Sequence, residues 1–146
     1  MNPTGKVALV TGGARRVGLA LSRALGNAGA DVVVNYNTSA TEAAQLVSEL
    51  ESLGRRGLAV QADVADQRSV RSLIERVRQE FGRLDILVNS AATFESAPFL
   101  EIEENEWDRV LAVNLKGPFL MMQTAAPLLR TQNAGVIVDI ADLSAF

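Results

Sequence analysis

The sequence contains no cysteine and no histidine. The first absence excludes a disulfide framework and a thiolate metal site. The second removes the commonest metal ligand and general base, so no metal centre is expected. No apolar run approaches the ~20 residues of a membrane span. Residues 1–6 are too short and polar for a signal peptide. Excess positive charge is also missing: 14 Lys and Arg stand against 17 Asp and Glu, a net charge of -3, which gives no basis for nucleic-acid binding. The default location is the cytoplasm. There are no internal repeats, low-complexity segments or linkers.

What is present is an ordinary globular composition, 48% hydrophobic and 21% charged over 146 residues. That is enough chain for one domain, 1–146, with one core. The central stretch is Thr11-Gly12-Gly13-Ala14-Arg15-Arg16-Val17-Gly18. An apolar strand, Val7 to Val10, precedes it. Val17, Ala20, Leu21, Ala24, Leu25 and Ala28 follow at helical spacing. Strand, glycine-rich turn and helix in that order make a phosphate cradle, because glycine admits an anion close to the backbone and the first helical N–H groups point at it. Arg15 and Arg16 either add charge where a phosphate lies or are ordinary solvated cations.

The remaining chain alternates strand and helix. Val32 to Val34 is continuously apolar, as a strand covered on both faces is. Ser39-Ala40-Thr41-Glu42 has the capping-box pattern and opens a helix with Ala43, Leu46, Val47, Leu50 and Leu53 on one face. Leu58 to Val60 is a third strand. Asp66 caps a helix bearing Val70, Leu73, Ile74, Val77 and Phe81. Leu84 to Val88 is a fourth strand. A long irregular stretch follows, then one helix from about Glu104 to Arg130 and a fifth strand over Gly135 to Ile140. This order predicts a doubly wound parallel α/β sheet, Rossmann-like, with five strands present. Ligands bind such sheets at the carboxyl ends of the strands. Polar residues gather there: the glycine turn, Asn35 to Ser39, Asp63, Asn89-Ser90, and Asp142 with Ser144.

An NAD-binding chain usually carries an acid ~20 residues past the glycine motif, bonded to the ribose 2′-OH. Here Asn35, Tyr36 and Asn37 occupy that place. The missing carboxylate allows a 2′-phosphate, with Arg16 on one side and Asn37, Thr38 and Ser39 opposite, so NADP is the expected cofactor. In the long helix Trp107, Val110 and Leu111 set a core-facing stripe that reaches Asn114. Pro118 has no N–H for the Asn114 carbonyl. Either that freed carbonyl holds an ordered water, or Asn114 is a satisfied buried amide in a kinked helix.

These residues resemble the short-chain dehydrogenase/reductase family over the whole chain. The family's Thr-Gly-x-x-x-Gly-x-Gly is Thr11 to Gly18, with Arg16 at the middle glycine. By this resemblance Gly12, Arg15, Arg16, Val17 and Gly18 hold the cofactor, Asp63 and Val64 contact the adenine, and Asn89-Ser90-Ala91-Ala92 matches the Asn-Asn-Ala-Gly after strand four. Asn114 matches the catalytic Asn, whose backbone carbonyl holds a water of the proton relay. Arg16, the stretch Asn35 to Ala40, and Asp142 at the family's catalytic Ser position look like the pteridine reductases. Phe94 falls where those enzymes stack a phenylalanine on the pterin; it serves there, or as a lid residue over apolar surface. Ser144 is the other candidate for the missing Ser, two residues out of register.

The resemblance implies an NADP-dependent reductase that passes hydride to a C=N or C=O bond in a small-molecule substrate. The alternatives are a ketone or β-ketoacyl reductase, or a non-catalytic nucleotide-binding remnant. The family's Tyr-x-x-x-Lys proton donor has no counterpart, because the only tyrosine is Tyr36. The chain is therefore expected to be the N-terminal part of a longer reductase, lacking its later strands and helices and inactive alone, with strand five as an apolar edge. Family members pair through the long helix, which implies a homo-oligomer at full length.

Overall fold

The computed structural model describes residues 2–94, 97–131 and 135–141. Five strands form one parallel sheet: β1 (Val7–Val10), β2 (Asp31–Tyr36), β3 (Gly57–Gln61), β4 (Ile86–Asn89) and β5 (Val136–Asp139), in the order β3-β2-β1-β4-β5. The connections are helical: α1 (Arg16–Asn27), α2 (Ala40–Ser52), α3 (Gln67–Phe81), α4 (Glu104–Leu111) and α5 (Gly117–Arg130). The expected doubly wound architecture is thus present. The order reverses beside β1, which brings the carboxyl ends of β1, β2 and β4 to one crevice.

Side-chain alternation along the strands builds two cores. Val7, Leu9, Val33 and Leu87 meet Val70, Leu73 and Val77 of α3 and Leu120, Met121, Ala125 and Leu129 of α5. Ala8, Val10, Val32, Val34, Ile86 and Val88 meet Ala43, Leu46 and Leu50 of α2. Successive strand residues point to opposite faces, so a sheet covered on both sides needs the unbroken apolar runs seen in β1 and β2. As expected, β5 is an apolar edge, with Ile137 and Val138 each 40% exposed.

Four expectations need correction. First, the buried seam of α1 is Gly18, Ser22 and Gly26, while Val17, Ala20, Ala24 and Ala28 are exposed. Small residues win because α1 packs so closely that a Cβ at Gly26 would overlap the side chain of Leu50. Second, Ser39 is the N-cap of α2 but makes no side-chain cap bond. A side-chain cap forms instead at α4, where Glu106 accepts the N–H of Glu103 at 3.2 Å. Third, the segment from Glu104 to Arg130 is not one regular helix. A π-helical turn over Ala112–Lys116 separates α4 from α5, and the N–H of Gly117 bonds Ala112 across it. Pro118 therefore falls in the first turn of a new helix, where a missing N–H is tolerated. Fourth, Trp107 is 58% and Leu111 37% exposed, so this stripe faces outward rather than into the core. Among the described residues no helix is long and apolar enough to cross a membrane.

Candidate functional site

The glycine turn is held from beneath by three buried side chains, Thr11, Asn35 and Ser22. Thr11 is 1% exposed. Its Oγ1 accepts the N–H groups of Ser90 and Ala91 at 2.9 and 3.0 Å, which pulls the loop after β4 against the turn. Asn35, at the end of β2, accepts the N–H of Gly12 at 3.3 Å. Ser22 donates to the carbonyl of Gly13 at 3.1 Å from below. Above these supports the backbone has no room for side chains. Gly12 has φ 60, and a Cβ there would come within 2.9 Å of the Ala91 Cα. A Cβ at Gly18 would overlap the carbonyl of Gly12.

Helix α1 opens on this turn without a side-chain cap: Arg15 is its N-cap and supplies none. Its first N–H groups are therefore left for solvent or an anion. Arg15, Arg16 and Val17 are all exposed at this end. Arg15 lies 3.7 Å from Glu42 of α2. Arg16 has φ 47, the only positive φ of a non-glycine among the described residues. The chain thus keeps the left-handed backbone of a glycine position while carrying a cation there. That conformation costs a non-glycine residue about 1–2 kcal/mol. Arg16→Gly should therefore leave thermal stability unchanged or slightly higher, yet weaken binding of a 2′-phosphorylated nucleotide about tenfold through loss of a charge-assisted contact. Melting and titration of one variant check both signs.

The other side of the crevice is built by β2 and β3. Asn37 and Thr38 are exposed and Ser39 is half-buried. The carbonyl of Asn37 accepts from Gln61 Nε2 at 2.8 Å, which fixes this loop to β3. Asp63 accepts the N–H of Ala65 at 2.8 Å. Val64 is buried, and Gly117 packs on it so closely that a Cβ there would sit 3.0 Å from Val64 Cγ2. No carboxylate stands at the end of β2, since residues 35–37 are Asn, Tyr and Asn.

The third wall follows β4. Asn89 is buried; its Nδ2 donates to Asp139 of β5 at 2.7 Å, and its Oδ1 has no partner among the described residues. Its side chain thus links the carboxyl ends of β4 and β5. Ser90 and Ala91 line the crevice through backbone held by Thr11. Asn114, in the π-helical turn, is exposed instead of turned inward. Its amide makes two bonds to the backbone of Thr93: Oδ1 accepts the N–H at 2.9 Å and Nδ2 donates to the carbonyl at 2.8 Å. Asn114 therefore fixes the loop that carries Phe94, itself 77% exposed. Asp142 and Ser144 lie outside the described residues.

The structure thus brings Gly12, Arg15, Arg16, Val17, Gly18, Asn37, Ser39, Asp63 and Ser90 to one sheet edge. The sequence places Thr11 in the glycine motif and Asn35 at the end of strand two, but assigns neither a role in supporting the turn. A polar residue ending a fully apolar buried strand was the available signal for Asn35.

Comparison with known proteins agrees with this geometry. Residues 6–146 match the family model described as short chain dehydrogenase. The chain is 38% identical over 138 residues to the 3-oxoacyl-acyl-carrier-protein reductase FabG of Staphylococcus aureus, covering 94% of this chain and 56% of that protein. It is 38% identical to the 3-oxoacyl-acyl-carrier-protein reductase of Synechocystis, covering 97% of this chain and 57% of that protein. It therefore spans little more than half the length of these relatives. Among solved structures, a short chain dehydrogenase from Burkholderia cenocepacia in complex with NADP superposes with a TM-score of 0.92 at 38% identity, covering 99% of this chain and 58% of that one. A blue fluorescent protein from a metagenomic library, in complex with NADPH, gives 0.89 at 37% identity, covering 99% of this chain and 59% of that one. The turn, the sheet order and the family match agree, and the chain belongs to the short chain dehydrogenase family.

Proposed function

We propose that this chain is the cofactor-binding half of an NADP-dependent reductase working in the cytoplasm. The observation that carries the reading is the glycine turn: an uncapped helix N-terminus, an exposed cation, Arg16, as its first residue, and no carboxylate at the end of β2. These groups fit a pyrophosphate with a 2′-phosphate beside it. Arg16, Asn37, Thr38 and Ser39 would hold the 2′-phosphate, the turn the pyrophosphate, and Asp63 with Val64 the adenine. When bound, the nicotinamide supplies a hydride for a C=O or C=N bond. Asn114 fixes the wall of the site and offers its backbone carbonyl, which Pro118 cannot bond, to a relay water. Tyr36, the only tyrosine, lies at the cofactor edge, so these residues alone bind without turnover. Copies of the full-length protein pair through the exposed apolar face of α4, the π turn and α5, which includes Trp107, Leu115 and Phe119.

The relatives favour a 3-oxoacyl thioester as substrate. A second reading, a flat ring such as a pterin, rests on Phe94, which stands exposed beside the loop fixed by Asn114 and could stack on a ring. There Asp142 would orient or protonate the substrate in place of a serine. NADPH consumption separates the two, measured on a protein that joins these residues to a Tyr-x-x-x-Lys segment. Turnover with a 3-oxoacyl thioester and none with dihydrobiopterin supports the first reading, and the reverse supports the second. NADPH binding with turnover of neither would leave a nucleotide-binding module.

A further inference from the structure

The amide at the end of β2 does more than leave a place without an acid. Asn35 is 1% exposed, and both its polar side-chain atoms are bonded. Its Oδ1 accepts the N–H of Gly12 at 3.3 Å. Its Nδ2 donates to the carbonyls of Ala62 and Val60 at 3.0 and 3.3 Å. Its own carbonyl accepts the N–H of Gly13 at 2.9 Å. Gly12 and Gly13 form the turn, and Ala62 immediately precedes Asp63 and Val64. One side chain thus ties the glycine turn to the Asp63–Val64 edge, the two places assigned above to the pyrophosphate and the adenine.

We propose that Asn35 is a positioning residue that sets the spacing between the glycine turn and the Asp63–Val64 edge, and thereby the affinity for the nucleotide; this rests on the NADP(H) reading above. The position needs an acceptor and a two-hydrogen donor in one small planar group, which an amide provides. An ionised carboxylate has no proton for the carbonyls of Ala62 and Val60, and repulsion by those oxygens would push it out of place and loosen its bond to the N–H of Gly12 as well. It would also bring negative charge beneath the cradle of an anionic ligand. The end of β2 is thus occupied in holding the turn, and the ribose edge is left to exposed Asn37 and Thr38.

The test compares N35D with D85N, which alters a buried carboxylate at the opposite edge of the sheet. NADPH affinity is measured by calorimetry, stability by thermal unfolding, and the amide exchange of Gly12 and Gly13 by NMR without nucleotide. N35D should weaken NADPH binding about tenfold or more, as expected when buried polar groups lose their partners, and should speed exchange at Gly12. D85N should lower the melting temperature while leaving affinity within about twofold, since its site is remote from the crevice. Should N35D not fold, N35S keeps a donor and an acceptor but lacks the reach, and carries the same expectation. Wild-type affinity with unchanged Gly12 exchange in these variants, or an affinity loss that D85N matches, would overturn the positioning role alone. A wild-type chain that binds neither NADPH nor NADH would overturn the cofactor reading and this role with it.

Discussion

Gly18→Val should reduce NADPH affinity by about two orders of magnitude, equivalent to about 2.7 kcal/mol. A Cβ at Gly18 would overlap the carbonyl of Gly12. The neighbour is backbone, so no rotamer change relieves the overlap and the turn itself must move. Thr11 and Asn35 hold that turn in place through Ser90, Ala91 and Gly12, and those bonds would be strained together. The added methyl groups also cover the helix N–H groups that an anion approaches. Gly18→Ala, with one carbon, should lose less. Calorimetric titration of both variants, beside their melting curves, separates lost affinity from lost fold. Unchanged affinity in a folded Gly18→Val protein would mean that the phosphates lie elsewhere.

The second large effect lies at the opposite edge of the sheet. Asp85→Ala should destabilise the fold by about 2–4 kcal/mol, or roughly 5–15 °C in Tm for a domain of this size. The side chain of Asp85 is 1% exposed. It accepts the N–H of Val7 at 2.9 Å, both Arg83 donors at 2.9 and 2.6 Å, and lies 3.6 Å from Lys6. Alanine leaves the Val7 N–H buried without that acceptor, whereas Arg83 and Lys6 are about one-third exposed and rehydrate. The cost therefore falls below that of a fully buried pair.

Burial pushes the carboxyl of Asp85 up, but Arg83, the Val7 N–H and Lys6 together outweigh it and hold the group below its usual range. A depressed folded pKa makes its contribution full above the unfolded value of about 3.9. The contribution is lost as pH falls through the lower folded value. Acid unfolding of Asp85→Asn should therefore depend less on pH below about 4. A midpoint and acid limb like those of the native chain would contradict this account of the cluster.

How much of this could be read from the sequence depended on whether the signal was local. The unbroken apolar runs at Val7–Val10 and Val32 to Val34 marked strands covered on both faces, and alternation with helices then fixed a parallel sheet. Asp66 was legible as a cap because its side chain needs only the N–H of Ser69, three residues on, at 2.8 Å. Ser39 had the same local pattern but makes no cap bond, and Glu42 lies beside Arg15 instead. Periodicity marked Trp107 and Leu111 as apolar but could not say what packs on them; among the described residues they stay exposed. Asn114 stands out in the sequence through Pro118, but its two bonds to the backbone of Thr93, 21 residues away, and the π turn that carries it have no local signal. Asn35 was read as a missing acid because its partners, Gly12 and Ala62, lie 23 and 27 residues away in sequence.

The most direct measurement is the affinity of the 146-residue chain for NADPH and for NADH under one salt condition. The account predicts that NADPH binds about tenfold or more tightly, as a 2′-phosphate paired with Arg16 implies, and that added salt narrows the gap by screening exposed charges. Equal affinity for the two, or tighter binding of NADH, would contradict it.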